Sequence, residues 1–66
     1  MRDKLVGERW EEFVTILDRA LGELQLKHWE KDFCSVLKTN LELNKGQTVL
    51  STKQVQKINE LNGKLP

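Results

Sequence analysis

Apolar side chains recur along residues 6–24 in alternating steps of four and three, which is the period of an amphipathic α-helix. Charged residues fill the positions between them, as on a solvated helix face. A chain of only 66 residues has room for one domain with a modest core. The pattern predicts a first helix over residues 3–22, and its stripe consists of Val6, Trp10, Phe13, Leu17, Ala20 and Leu24, widened by Val14 and Leu21.

A second helix is predicted over residues 26–43, where apolar residues again step by three and four. Its stripe runs through Leu26, Trp29, Phe33, Val36 or Leu37, and Leu41. The segment Asn44-Lys45-Gly46 is a suitable terminator, because glycine adopts the left-handed conformation past a helix end.

A third helix, residues 51–62, is predicted from its start signal. Ser51 and Gln54 have the spacing of a capping box, in which each side chain bonds the other residue's backbone N–H. Leu50 and Val55 occupy the positions of a hydrophobic staple around the same cap. Asn62-Gly63 provides the stop.

These patterns predict an all-α fold, a compact three-helix bundle that forms a single domain over residues 1–66. A short helical turn is expected near residues 44–50, within which "GQTV", residues 46–49, is compatible with a short extended or turn-like segment. No β-sheet is expected, because no hairpin signal flanks that segment. The predicted core consists of Val6, Trp10, Phe13, Leu17, Leu21, Trp29, Phe33, Leu37, Leu41, Val55, Ile58 and Leu61.

Composition favours a globular protein, with 38% hydrophobic and 32% charged residues. The sequence contains no apolar run of the roughly 18–20 residues that a membrane span requires. The first ten residues have no apolar signal-peptide core, and Cys34 is the single cysteine. We therefore expect a cytoplasmic protein without a membrane partner.

The residues that could support catalysis are isolated from one another. His28 has no partner at metal-ligand spacing, and Cys34 is expected to be a half-buried packing residue. The carboxylate pairs Glu11/Glu12 and Glu30/Asp32 are typical of a solvated helix face. We therefore expect no enzyme activity, no catalytic residue, no metal, no cofactor and no small-molecule substrate.

The two tryptophans allow two interpretations. Trp10 and Trp29 belong to different helical stripes and are expected to pack together in the core with Phe13 and Phe33. In the alternative, one tryptophan lies at the edge of its stripe and anchors a protein partner.

Charge is distributed unevenly along the chain. Residues 1–33 hold six basic and eight acidic side chains, whereas residues 34–66 hold five basic and two acidic ones. Lys53, Lys57 and Lys64 share one predicted outer face of the third helix with Glu60. Backbone N–H groups at a helix start favour a phosphate. The candidate nucleic-acid-binding residues are Ser51, Thr52, Lys53, Lys57 and Lys64.

Two short segments carry a resemblance to known proteins. "WEKDF", residues 29–33, is followed by "LSTKQ", residues 50–54. Together they resemble the small helical accessory module associated with T-even phage recombination and repair helicases, which is itself similar to the accessory domain of RecQ-type helicases. The resemblance covers residues 29–61. RecQ-type accessory domains are longer and carry a denser basic surface. The resemblance implies a binding module in which Lys53 and Lys57 match the basic positions.

Two functions follow as expectations. The first is a non-catalytic accessory module in phage or bacterial DNA transactions, which binds nucleic acid weakly and without sequence preference at the start of the third helix. The alternative is a protein-protein interaction module, such as an inhibitor, an adaptor or a helical dimer, that uses leftover apolar surface and binds a protein such as a helicase.

Overall fold

The structure, a computed structural model, describes residues 4–65 and consists of three α-helices and a two-stranded antiparallel ribbon. In chain order, the elements are strand β1 (Lys4–Leu5), a 3₁₀ turn (Gly7–Arg9), α1 (Trp10–Glu23), α2 (His28–Asn44), a second 3₁₀ turn (Lys45–Gln47), strand β2 (Val49–Leu50) and α3 (Thr52–Lys64). Helix α1 packs against both α2 and α3. The predicted small all-α bundle is therefore confirmed, together with the short turn between the second and third helices.

The predicted start of the first helix is wrong, and so is the prediction that the chain has no β-structure. The backbone at Leu5 pairs with Val49, and the Val6 N–H donates to the Thr48 carbonyl at 3.0 Å. Gly7 then takes a positive φ of 69°, which a side chain would oppose. This turn separates the extended segment from α1, so Val6 packs on the core from outside the helix. Asp3, the candidate cap, lies outside the described residues.

The end of α2 is built differently from the prediction. Lys45, not Gly46, takes the positive φ, at 53°. Gly46 is needed for another reason: a Cβ there would lie 2.7 Å from the Gly7 carbonyl oxygen. The two glycines therefore allow the 3₁₀ turns before α1 and after α2 to approach each other backbone to backbone.

The start of α3 is as predicted. The Ser51 Oγ accepts a hydrogen bond from the Gln54 N–H at 3.2 Å, and the Ser51 N–H donates to Gln54 Oε1 at 2.7 Å. Leu50 is buried and Val55 packs against the same core. The capping box is confirmed, and it fixes the point at which the β-ribbon turns into α3.

Most of the predicted core is confirmed, but Trp29 is not part of it. The Trp29 residue is 54% exposed, so the prediction that both tryptophans pack in the core is wrong. Trp10 and Leu21 are partly buried against the core, as are Val6, Phe33 and Val55. Cys34 is fully buried rather than half-buried. The buried hydrophobic residues are Phe13, Leu17, Ala20, Cys34, Leu37, Leu41, Leu50, Ile58 and Leu61.

Candidate interaction surface

Helix α2 carries two neighbouring stripes, both with steps of four and three. The inner stripe, Glu30, Cys34, Leu37 and Leu41, is buried. The outer stripe consists of Trp29, Phe33, Val36, Asn40 and Leu43, about one residue's rotation away around the helix. Phe33 is partly buried against the core, whereas Trp29, Val36 and Leu43 are 54%, 58% and 75% exposed. Three apolar side chains of the outer stripe therefore face water.

An ion pair between helices explains how a glutamate can belong to the inner stripe. Glu30 Oε2 lies 2.9 Å from the Nζ of Lys57 on α3, and Glu30 Oε1 accepts a hydrogen bond from the Lys27 N–H at 3.0 Å. The residue is only 7% exposed. The Lys27 hydrogen bond, followed by the hydrogen bond from Lys57, lowers the pKa of Glu30, and burial opposes this shift.

Lys57 has three partners around its ammonium. Besides Glu30, its Nζ lies 3.4 Å from Glu60 Oε1 and 4.9 Å from the centroid of the Trp29 ring. The hydrogen bond with Glu30 raises the pKa of Lys57. A lysine predicted to face a ligand is thus 18% exposed along its side chain and joins α3 to α2. The Lys57 ammonium lies over one face of the exposed Trp29 indole, as in a cation–π interaction.

The five candidate nucleic-acid-binding residues differ in how available they are. Ser51 is occupied by the helix cap, and Thr52 is partly buried. Lys53 is exposed and has no ion-pair partner among residues 4–65. Lys64 is exposed, with its Nζ 3.7 Å from Glu60 Oε1. Glu60 and Glu30 therefore offset much of the positive charge on this face of α3.

A second ion pair joins α2 to α1. The Nζ of Lys38 lies 2.8 Å from Oδ1 of Asp18 on α1. The hydrogen bond with Asp18 raises the pKa of Lys38. Glu30–Lys57 joins α2 to α3, Lys38–Asp18 joins α2 to α1, and the inner stripe is buried, so the outer stripe lies outside the core.

The β-ribbon adds a small apolar pair of its own. Leu5 and Val49 are cross-strand partners and are 65% and 54% exposed. Cross-strand neighbours lie within contact distance of each other on one face of the ribbon. They form an exposed apolar spot on an element that the sequence patterns did not predict.

The remaining reactive side chains of residues 4–65 include a buried thiol and an exposed imidazole. Burial raises the pKa of the Cys34 thiol, which disfavours the nucleophilic thiolate. His28 forms an exposed pair with Asp32, with Nε2 and Oδ2 3.3 Å apart. Within the described part of the chain, no group of three or more His, Cys, Asp or Glu residues is placed to hold a metal ion.

The comparisons with known proteins give no identification. No family model matches the sequence, no curated protein matches it, and no solved structure matches the fold. Within residues 4–65, no helix has both the length and the apolar character that crossing a membrane demands.

Proposed function

We propose that this chain is a non-catalytic protein-interaction module that binds its partner along the outer stripe of α2. One observation carries the proposal: Trp29, Val36 and Leu43 follow one another every seven residues on one helix face and are all more than half exposed. Aromatic and branched apolar side chains in such a row are typical of a helix that packs on another helix. A solvated helix would carry polar residues there.

The stripe has the geometry of a docking site for an amphipathic helix. Residues at seven-residue spacing on a helix of this length form a narrow seam of about two heptads. Trp29 is suited to be an anchor, because Lys57 restrains its ring and so reduces the rotamer entropy lost on binding.

The test compares capture by the wild-type chain with capture by a double variant. Val36→Ser with Leu43→Ser should abolish a nuclease-resistant complex with a purified candidate helicase, the partner class indicated by the sequence resemblance. The matched control is Lys31→Ser with Ser35→Ala, two exposed positions of α2 outside the outer stripe. It should bind as the wild type does. Equal binding by both double variants would contradict the proposal.

A second candidate function is weak, sequence-independent contact with single-stranded nucleic acid. It is supported by the exposed Lys53 and by the exposed indole of Trp29, which has an aromatic face on which a base can stack. In this candidate the chain is an accessory module in DNA transactions, and Lys64 adds a second phosphate contact. Lys57 would contribute less, because Glu30 neutralises it.

Amide chemical shifts at low salt test the second candidate. Single-stranded, duplex and branched DNA should each be added to the wild type and to Lys53→Glu with Lys64→Glu. Shifts that occur in the wild type and vanish in the variant support the contact. Lys57→Glu is avoided, because it would place two carboxylates at the α2–α3 ion pair and perturb the fold itself.

A further inference from the structure

We propose that the occupant of the outer stripe is a second copy of this chain, with the two α2 helices side by side and parallel. This inference rests on the proposed function and names the partner. Steps of four, three, four and three assign Trp29, Val36 and Leu43 to d positions of a heptad, and Phe33 and Asn40 to a positions. The outer stripe thus contains a complete a/d seam within the bounds of α2.

Asn40 is the residue that indicates a copy of the same chain. A single asparagine at an a position specifies register and oligomer state in parallel coiled coils. An amide side chain both donates and accepts hydrogen bonds, so two symmetry-related Asn40 residues satisfy each other. In an antiparallel pair, each Asn40 would instead meet an apolar residue and lose its hydrogen bonds with water.

The charges beside the stripe permit the same parallel arrangement. The edge next to α3 carries two lysines that pair with glutamates, Lys57 with Glu30 and Lys64 with Glu60. The opposite edge carries the exposed Asp32. In a parallel two-fold pair, each edge faces the opposite edge of the mate, so the two Asp32 carboxylates do not face each other.

The short seam limits the affinity. A helix of 17 residues is about 25 Å long, which is roughly two heptads. Such a seam is below the size of a standard stable interface, so we expect a reversible dimer with a dissociation constant on the order of micromolar to millimolar. Sedimentation equilibrium of the wild type between about 10 μM and 1 mM should show the mass rise toward twice 7.7 kDa. Val36→Ser with Leu43→Ser should stay monomeric.

Oxidative cross-linking tests the parallel orientation. Leu43→Cys should form a disulfide-linked dimer, because equivalent d positions of a parallel pair approach within the roughly 7 Å between Cα atoms that a disulfide tolerates. Ser35→Cys, at an exposed position outside the seam, should not. Native Cys34 is buried, so the wild type is the unlinked reference. In an antiparallel pair, the two copies of residue 43 would lie about 20 Å apart and remain unlinked.

Each outcome bears on the inference separately from the proposed function. A wild type of constant monomer mass, or cross-linking of Ser35→Cys to the same extent as Leu43→Cys, would overturn the self-pairing. An unlinked Leu43→Cys variant would overturn the parallel orientation. If the wild type is monomeric and still captures another protein through Val36 and Leu43, the proposed function survives and the second copy is the wrong occupant. If the wild type neither self-associates nor captures another protein through Val36 and Leu43, both the self-pairing and the proposed function are wrong.

Discussion

The ammonium of Lys57 lies 2.9 Å from the carboxylate of Glu30, although the two residues belong to different helices. Glu30 belongs to the buried inner stripe of α2, and its neighbour Trp29 lies outside, with its ring 4.9 Å from the same ammonium. Val36 and Leu43 of the outer stripe are exposed as well. The ion pair therefore lies between the core of the domain and the outer stripe that we propose as the interaction surface.

The Glu30 carboxylate, which accepts a hydrogen bond from the Lys27 N–H and pairs with Lys57, predicts an acid-sensitive stability. The pKa of Glu30 is lowered below its ordinary value of 4.5, so the ionised form is favoured in the folded state. Its contribution is present above the unfolded-state pKa and is lost as the pH falls through the folded-state pKa. Urea unfolding of the wild type and of Glu30→Gln between about pH 3 and pH 7 should show midpoints that converge on acidification. A constant difference across this range would contradict the assignment.

A double-mutant cycle should show strong coupling between the same two residues. Lys57→Met leaves the Glu30 carboxylate buried without its cation, which is more harmful than removal of both charges. We expect Glu30→Gln with Lys57→Met to unfold at a higher urea concentration than Lys57→Met alone. The control pair is Arg9→Met with Glu12→Gln. These two residues form an exposed ion pair three residues apart in the sequence, so the coupling between the two changes should be small. If the changes in the free energy of unfolding at Glu30 and Lys57 are additive, the ion pair does not contribute to stability.

Gly46→Ala should destabilise the fold, because the new Cβ would lie 2.7 Å from the Gly7 carbonyl oxygen. Overpacking of this kind costs roughly 1–3 kcal/mol. Gly22→Ala is the matched control: nothing lies within 4 Å of the Cβ added there, near the end of α1. That change should be neutral or stabilising, by up to about 1 kcal/mol. In urea unfolding, the two changes should shift the free energy of unfolding in opposite directions. A neutral Gly46→Ala would show that the two 3₁₀ turns are not in contact.

Ser51→Ala should lower the free energy of unfolding by about 1 kcal/mol, within a range of about 0.5–2 kcal/mol. The cause is loss of the hydrogen bond that the Gln54 N–H donates to the Ser51 hydroxyl. Ser35→Ala, on the exposed face of α2, is the control and should change stability by less than about 0.5 kcal/mol. Equal effects of the two serine changes would argue against the cap.

Local signals predicted much of this fold, and contacts between distant segments account for the differences. The capping box at Ser51 and the stripe of α1 from Trp10 onward depend on neighbouring residues, so the sequence patterns were sufficient. The β-ribbon depends on the hydrogen bond from the Val6 N–H to the Thr48 carbonyl, which no local sequence pattern predicts. Likewise, the local pattern favoured burial of the apolar Trp29 over the charged Glu30. It could not show that Glu30 is buried with Lys57, which comes 27 residues later in the chain.

The candidate site was predicted only in part, for the same reason. The lysine spacing of α3 predicted one outer face for Lys53, Lys57 and Lys64, but only Lys53 and Lys64 are exposed, and the Lys57 side chain is 18% exposed. It could not show that Glu30 holds Lys57. Two adjacent stripes on α2 both satisfied the helical period, and periodicity alone does not choose between stripes that differ by one residue. The exposed anchor at the edge of a stripe, considered as an alternative, is the position that Trp29 takes.

The most direct test compares two adjacent residues of α2. Leu37 belongs to the inner stripe and is 4% exposed, whereas Val36 belongs to the outer stripe and is 58% exposed. In urea unfolding at low protein concentration, Leu37→Ala should lower the free energy of unfolding by about 2–5 kcal/mol. Val36→Ala should change it by no more than about 0.5 kcal/mol. A cost at Val36 that equals or exceeds the cost at Leu37 would mean that the outer stripe is buried, and the interaction surface on α2 would not exist.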